Sequence, residues 1–120
     1  MKPDNLILDK SFEFSLLIIA FYKTMIVHKE FVLSKQLLRS STSIGANVRE
    51  ASAAQTKKDF IAKMSIASKE ARESEYWLLL IEKSKIVDID CSIELQKATE
   101  LIRILTSIVK TAQASLNQNN

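Results

Sequence analysis

Three cations share one side of a stretch that reads as helical, Lys35, Arg39 and Arg49, with Thr42 and Ala46 between them, and Lys57 and Lys58 just beyond the following turn would extend the row. Steps of three and four place such side chains along one helix face, where ammonium and guanidinium groups can meet successive phosphates of a nucleic-acid backbone. An RNA surface is one reading of this row. The other is an ordinary solvated face, with Glu30, Glu50 and Asp59 near enough in sequence to neutralise it. Enzymatic chemistry has no comparable signal. The single histidine, His28, and the single cysteine, Cys91, fall on distant segments, no glycine-rich loop exists to cradle a phosphate, and no Glu-x-x-His pair is present for a di-metal site. Glu70 and Glu73 share a face, but no histidine joins them. No catalytic residue, metal or cofactor is therefore expected.

Two long helices must position the cations. Leu33, Leu37, Ser41, Ile44, Val48 and Ala51 recur at helical spacing and form the inward face of the first. Phe60, Met64, Ala67, Ala71, Ser74, Leu78 and Ile81 do the same for the second, in an unbroken heptad-like run. Thr56, three positions ahead of Asp59, reads as an N-cap, so the second helix should start at Lys57. The middle of both faces is small or polar, with Ser41, Gly45 and Ala51 opposite Ala67, Ala71 and Ser74, which lets the backbones approach closely. Asn47, Glu50 and Glu73 flank this seam. Buried, they would form a mutual hydrogen-bonded network that fixes helix register, because an unsatisfied buried polar group costs about 1–3 kcal/mol; otherwise they are solvated.

The chain has 120 residues with one glycine and one proline, too little turn chemistry for hairpins, so the fold class is all-α, an antiparallel up-down four-helix bundle in one domain. Helices are expected at about 9–28, 32–54, 57–86 and 92–116, with loose ends at 1–5 and 117–120. Asp90 or Ser92 should cap the last helix. Its inward stripe is Ala98, Leu101, Ile102, Leu105, Ile108, Val109, Ala112 and Leu116, with Arg103 and Lys110 pointing away. The net charge of +3, from 17 basic and 14 acidic residues, permits an RNA partner without demanding one. A lone cysteine allows no internal disulfide and suits a reducing, cytoplasmic setting. No signal peptide is evident, since the first apolar run begins near Phe14 after Asp4, Asp9 and Glu13, and the Phe12 to Val27 segment is interrupted by Glu13 and Lys23 and falls short of the roughly 20 apolar residues a membrane span requires.

The first helix carries two apolar stripes on nearly opposite sides, Phe12-Leu16-Ile19-Ile26 and Phe14-Ile18-Phe21-Met25. One can meet the core and the other needs a cover, which points to oligomerisation. Phe14, Ile18, Phe21 and Met25 are assigned to that subunit contact, together with Ile66, Trp77 and Leu80 on the third helix, where a large aromatic suits an interface. His28, at the end of the first helix, is read as structural.

Ser43-Ile44-Gly45-Ala46-Asn47-Val48-Arg49-Glu50, then Lys57-Lys58-Asp59-Phe60 and the segment from Ile66-Ala67 to Glu73, resembles the four-helix-bundle family encoded in intervening sequences of large-subunit ribosomal RNA genes. The accessory variability protein of diversity-generating retroelements shares that superfamily. The resemblance runs from about Ser11 to Lys110, although Ala51 stands where many members have glycine and Lys69-Glu70 where they have a Gly-Ser pair. It implies an up-down bundle, commonly a ring-shaped homopentamer, with no established enzymatic activity and a link to RNA. Two function classes follow: an RNA-binding or ribonucleoprotein accessory protein, or a scaffold for a partner protein such as a reverse transcriptase. A helix-turn-helix DNA binder fits poorly, because these helices are too long and the turns lack its usual glycine.

Overall fold

The computed structural model describes residues 5–118, which form four helices: α1 (Asn5–Val27), α2 (Leu33–Ser52), α3 (Lys57–Ser84) and α4 (Ser92–Gln118). Each packs against its neighbours in sequence, and α4 returns to α1 to close the ring, while the backbones of the diagonal pairs stay apart. The result is an antiparallel four-helix bundle 52 Å long and about 22 Å across. Contact is densest between α2 and α3 and sparsest between α1 and α4.

The α3 stripe from Phe60 to Ile81 is buried at all seven expected positions, and on α2 Leu37, Ser41, Ile44, Val48 and Ala51 are buried with it. On α4, Ala98, Leu101, Leu105 and Ala112 are buried, while Ile102, Ile108 and Val109 are partly so. The first helix departs from expectation. It starts at Asn5 rather than Asp9, which brings Ile7 and Ser11 into line with Phe14, Ile18, Phe21 and Met25 as its core stripe. The expected loose segment before residue 6 lies mostly outside the described residues. At the other end the helix continues to Gln118, where Gln113 Nε2 donates to Asn117 Oδ1 at 3.1 Å; Asn119 and Asn120 are not described.

The turns use unexpected residues. Lys29 adopts φ 62° just past α1, with its N–H donating to Ile26 O at 2.9 Å and that of Glu30 to Met25 O at 3.0 Å. That is the Schellman arrangement, usually completed by glycine because a Cβ is disfavoured in the left-handed region. Lys85 also takes the left-handed conformation, at φ 54°, and the Ile86 N–H donates to Ser84 Oγ at 3.3 Å, which is why α3 stops at Ser84 and not at residue 86. Lys29→Gly is expected to raise stability by about 0.5–1 kcal/mol, read from the urea midpoint.

Helix starts are capped by side chains. Thr56 Oγ1 accepts the Asp59 N–H at 3.0 Å, as the spacing predicts, and Asp90 Oδ1 accepts that of Ser92 at 3.0 Å. At α2 the cap is Glu30, which the sequence reading had placed only among possible partners of the cations. Its carboxylate accepts the N–H groups of Val32, Leu33 and Ser34 at 2.9, 3.1 and 2.6 Å, and Ser34 Oγ donates back to its carbonyl at 2.8 Å.

Candidate functional site

The cation row of α2 is broken in the middle. Arg39 reaches across to α3, where its Nη1 and Nη2 donate to the two carboxylate oxygens of Glu70 at 3.1 and 3.4 Å and Nη2 also donates to Glu73. Hydrogen bonds to Glu70, then to Glu73, raise its pKa. A guanidinium engaged in this way is a helix-to-helix clamp, already neutralised before any phosphate arrives. Lys57 Nζ donates to Ser115 Oγ at 2.5 Å. Lys35, Arg49 and Lys58 are exposed, and no described carboxylate pairs with them. Lys35 and Arg49 stand about 21 Å apart along the helix, by the 1.5 Å rise per residue. Spacing on one helix showed where cations could line up; it held no information about Glu70 and Glu73 facing them from the next.

The expected network of Asn47, Glu50 and Glu73 does not form. Asn47 Nδ2 donates locally to Ser43 O and Oγ at 2.9 and 3.2 Å, the exposed Glu50 meets Lys63 Nζ at 3.3 Å, and the half-buried Glu73 takes Arg39 and the Trp77 indole N–H, the latter at 3.2 Å. Buried polar bonding belongs to serines. Ser40 Oγ and Ser41 Oγ lie 2.8 and 3.1 Å from Ser74 Oγ, which donates to Glu70 O at 2.9 Å. Serine hydroxyls thus occupy the buried centre of the α2/α3 seam, and the carboxylates of Glu70 and Glu73 meet Arg39 at its edge. Gly45 faces α1 instead of that seam: a Cβ there would stand 3.4 Å from Ser11 O and from Ser15 Oγ.

Apolar surface is also distributed differently. Phe14, Ile18, Phe21 and Met25, assigned to subunit contact, are at most 5% exposed within the monomer. They fill the core and offer nothing to a partner. The other stripe is the outward one: Phe12, Leu16 and Ile19 are 55, 54 and 37% exposed, and Phe12 overhangs a hollow of about 220 Å³ floored by Thr42, Gly45 and Ala46. On α3, Ile66 and Tyr76 are exposed, Leu80 is half-buried, and Trp77 packs partly on the core with its ring 5.2 Å from that of Tyr76.

The α3/α4 face carries a feature that helix periodicity does not reveal. Arg72 Nη2 donates to Thr106 Oγ1 at 3.1 Å beside a hollow of about 210 Å³ lined by Ser65, Ser68, Arg72, Thr106, Val109 and Lys110. The available signal was the absence of any acid after Glu100.

His28 is exposed, its Nδ1 2.9 Å from the Thr24 carbonyl, which can only accept. Cys91 is buried, and burial, then the charges of Glu82, Glu94 and Asp90, push its thiol up to about 11, away from the reactive thiolate. Among the described residues no three His, Cys, Asp or Glu groups converge on a metal position, and no helix is long and apolar enough to cross a membrane.

A family model described as 23S rRNA-intervening sequence protein matches residues 3–107. Among solved structures, the chain is similar to a protein with unknown function from the S23 ribosomal protein family of Bacteroides thetaiotaomicron. Sequence identity is 50%, the TM-score is 0.81, and the match covers 88% of this chain and 96% of that one. No curated protein matches.

Proposed function

The chain belongs to the 23S rRNA-intervening sequence protein family, and from that premise we propose that it is a non-enzymatic, self-associating cytoplasmic bundle that binds structured RNA. The observation that carries the RNA reading is the exposed cations of α3 and α4 left without a carboxylate partner among the described residues, Lys58, Arg72, Arg103 and Lys110 among them, in a family whose description names 23S rRNA.

Self-association rests on the apolar stripes. Phe12, Leu16 and Ile19 lie on α1, whereas Ile66, Tyr76 and Trp77 lie on α3, the helix diagonally opposite. Two unlike patches on opposite sides make a head-to-tail contact, which closes as a ring when the rotation between subunits permits. The ring-shaped homopentamer implied by the resemblance is the assembly we propose, with the outward α1 stripe as one half of each contact.

Binding of the purified protein to a labelled structured RNA over a salt series, with its mass in solution recorded alongside, tests both parts. Submicromolar affinity that falls steeply with salt is the expected result. A stable oligomer with no RNA affinity would overturn the RNA reading and favour the scaffold for a partner protein. Phe12→Glu with Leu16→Glu is expected to yield a helical monomer in sedimentation, since two carboxylates cannot be buried unpaired at the contact. An unchanged mass would remove the α1 stripe from the interface.

A further inference from the structure

Resting on the RNA reading above, we infer that the RNA surface is the α3/α4 face around Arg72 and Lys110, and that it takes the phosphate backbone of a duplex rather than unpaired bases. The contrast between the two interhelical arginines is the first argument. Arg39 spends its donors on two carboxylates, while Arg72 meets a neutral hydroxyl, Thr106 Oγ1, and retains an uncompensated charge. Its neighbours around the hollow supply what a phosphate oxygen needs: the Lys110 ammonium and the hydroxyls of Ser65, Ser68 and Thr106.

The second argument is where the acids are. None follows Glu100 in the chain, so Lys110 has no acid near it on α4, while Arg103 stands one turn past Glu100, whose carboxylate is engaged by Lys10 at 3.1 Å. On α3, Glu70 and Glu73 are turned toward α2 and held by Arg39, and Glu75 accepts Thr99 Oγ1 at 3.1 Å, one turn beyond Arg72. Lys58 and Lys69 are exposed on the same half of α3. Arg72, Arg103 and Lys110 with Lys58 and Lys69 thus give this side a local excess of positive charge in a chain whose net charge is only +3. Such a local surplus, more than net charge, determines how many phosphates are neutralised.

The third argument sets the class of ligand. Proteins that hold single strands combine cations with aromatic rings on which bases stack. α4 has no aromatic residue, Phe60 on α3 is buried, and the exposed ring of Tyr76 stacks edge-on against Trp77. With cations and hydroxyls alone, the face reads backbone and 2′-hydroxyls, as duplex RNA is read, without identifying bases.

The test uses the full chain, a labelled RNA duplex of about 20 base pairs, a scrambled duplex and one of its single strands, a length sufficient to span the helix pair. Arg72→Glu with Lys110→Glu is expected to lower duplex affinity by at least about tenfold and to flatten the log–log salt dependence by roughly two, one for each lost phosphate contact. Arg103→Glu, made separately, should act in the same direction, and helicity and oligomer mass should match wild type in each case. Lys35→Glu with Arg49→Glu should shift affinity by less than about threefold, because those charges lie far from the surface that makes the contacts. The reverse pattern, loss at α2 and none at α3/α4, would overturn this inference while leaving RNA binding intact. Preference for the single strand, or a marked difference between the two duplexes, would overturn the backbone reading. A wild-type protein that binds none of the three would instead sink the RNA function itself.

Discussion

Leu78→Ala is expected to lower the free energy of unfolding by about 2–5 kcal/mol, the largest effect of any single truncation discussed. Leu78 is fully buried, and its carbonyl accepts the Cys91 thiol at 3.7 Å, so it ties the α3 stripe to the start of α4. Removing three carbons there loses their transfer free energy and leaves a hole. The hole persists because Ser74, one turn away, is fixed by hydrogen bonds to Ser40 and Ser41 and cannot shift toward it. Against a total of about 5–15 kcal/mol for a domain of this size, such a loss is a large fraction. Urea denaturation measures it, with Leu79→Ala as the control: Leu79 is 39% exposed, and its truncation should cost less than about 1 kcal/mol. A Leu78 loss no larger than the control would mean that the inward face of α3 is misassigned.

The second large effect is at Glu30. Glu30→Ala leaves three amides at the start of α2 without an acceptor in a turn that is otherwise well packed, and about 2–3 kcal/mol should be lost. Glu30→Gln keeps one acceptor oxygen and should lose about 1–2 kcal/mol. The carboxylate also makes the stability pH-dependent. Burial raises the Glu30 pKa, but the N–H groups of Ser34, Val32 and Leu33 outweigh it and hold the carboxyl below its ordinary value of 4.5. A depressed folded pKa means that the contribution is complete above the unfolded value and is lost as pH falls through the folded one. Urea midpoints for wild type and Glu30→Gln should therefore converge as pH drops below 4.5. A gap that stays constant through that range would show that the cap does not depend on the charge.

These two sites differ in how visible they are in the sequence. The α3 stripe is legible because seven apolar or small residues recur without interruption, and only one face of a helix can satisfy that pattern. The α1 stripes were not separable in the same way. Starting the helix at Asp9 leaves two competing rows of equal length. Starting it at Asn5 adds Ile7, which with Ser11 extends one row to an unbroken 7, 11, 14, 18, 21, 25, the row that is buried. The turns misled for a related reason. The lone glycine lies within α2 against Ser11 and Ser15, while lysines occupy the two left-handed positions. Glu30, Arg39 and the serine cluster share a further difficulty: each acts across a turn or between helices, and period-based reading scores a residue only against its own helix.

The thin seam between α1 and α4 bears on how the bundle comes together. Every other pair of touching helices is joined by a short turn, so its contacts form between residues close in sequence. The α1/α4 pair alone brings together the two ends of the described chain, across the largest loop to be closed and with the fewest contacts to reward closure. It should therefore be the last to zip shut during folding and the first to part, with α1 hinging on its tie to α2 while α2, α3 and α4 remain associated. Slow amide exchange should accordingly concentrate in α2 and α3, and the α1 amides should exchange through an opening that costs less than global unfolding.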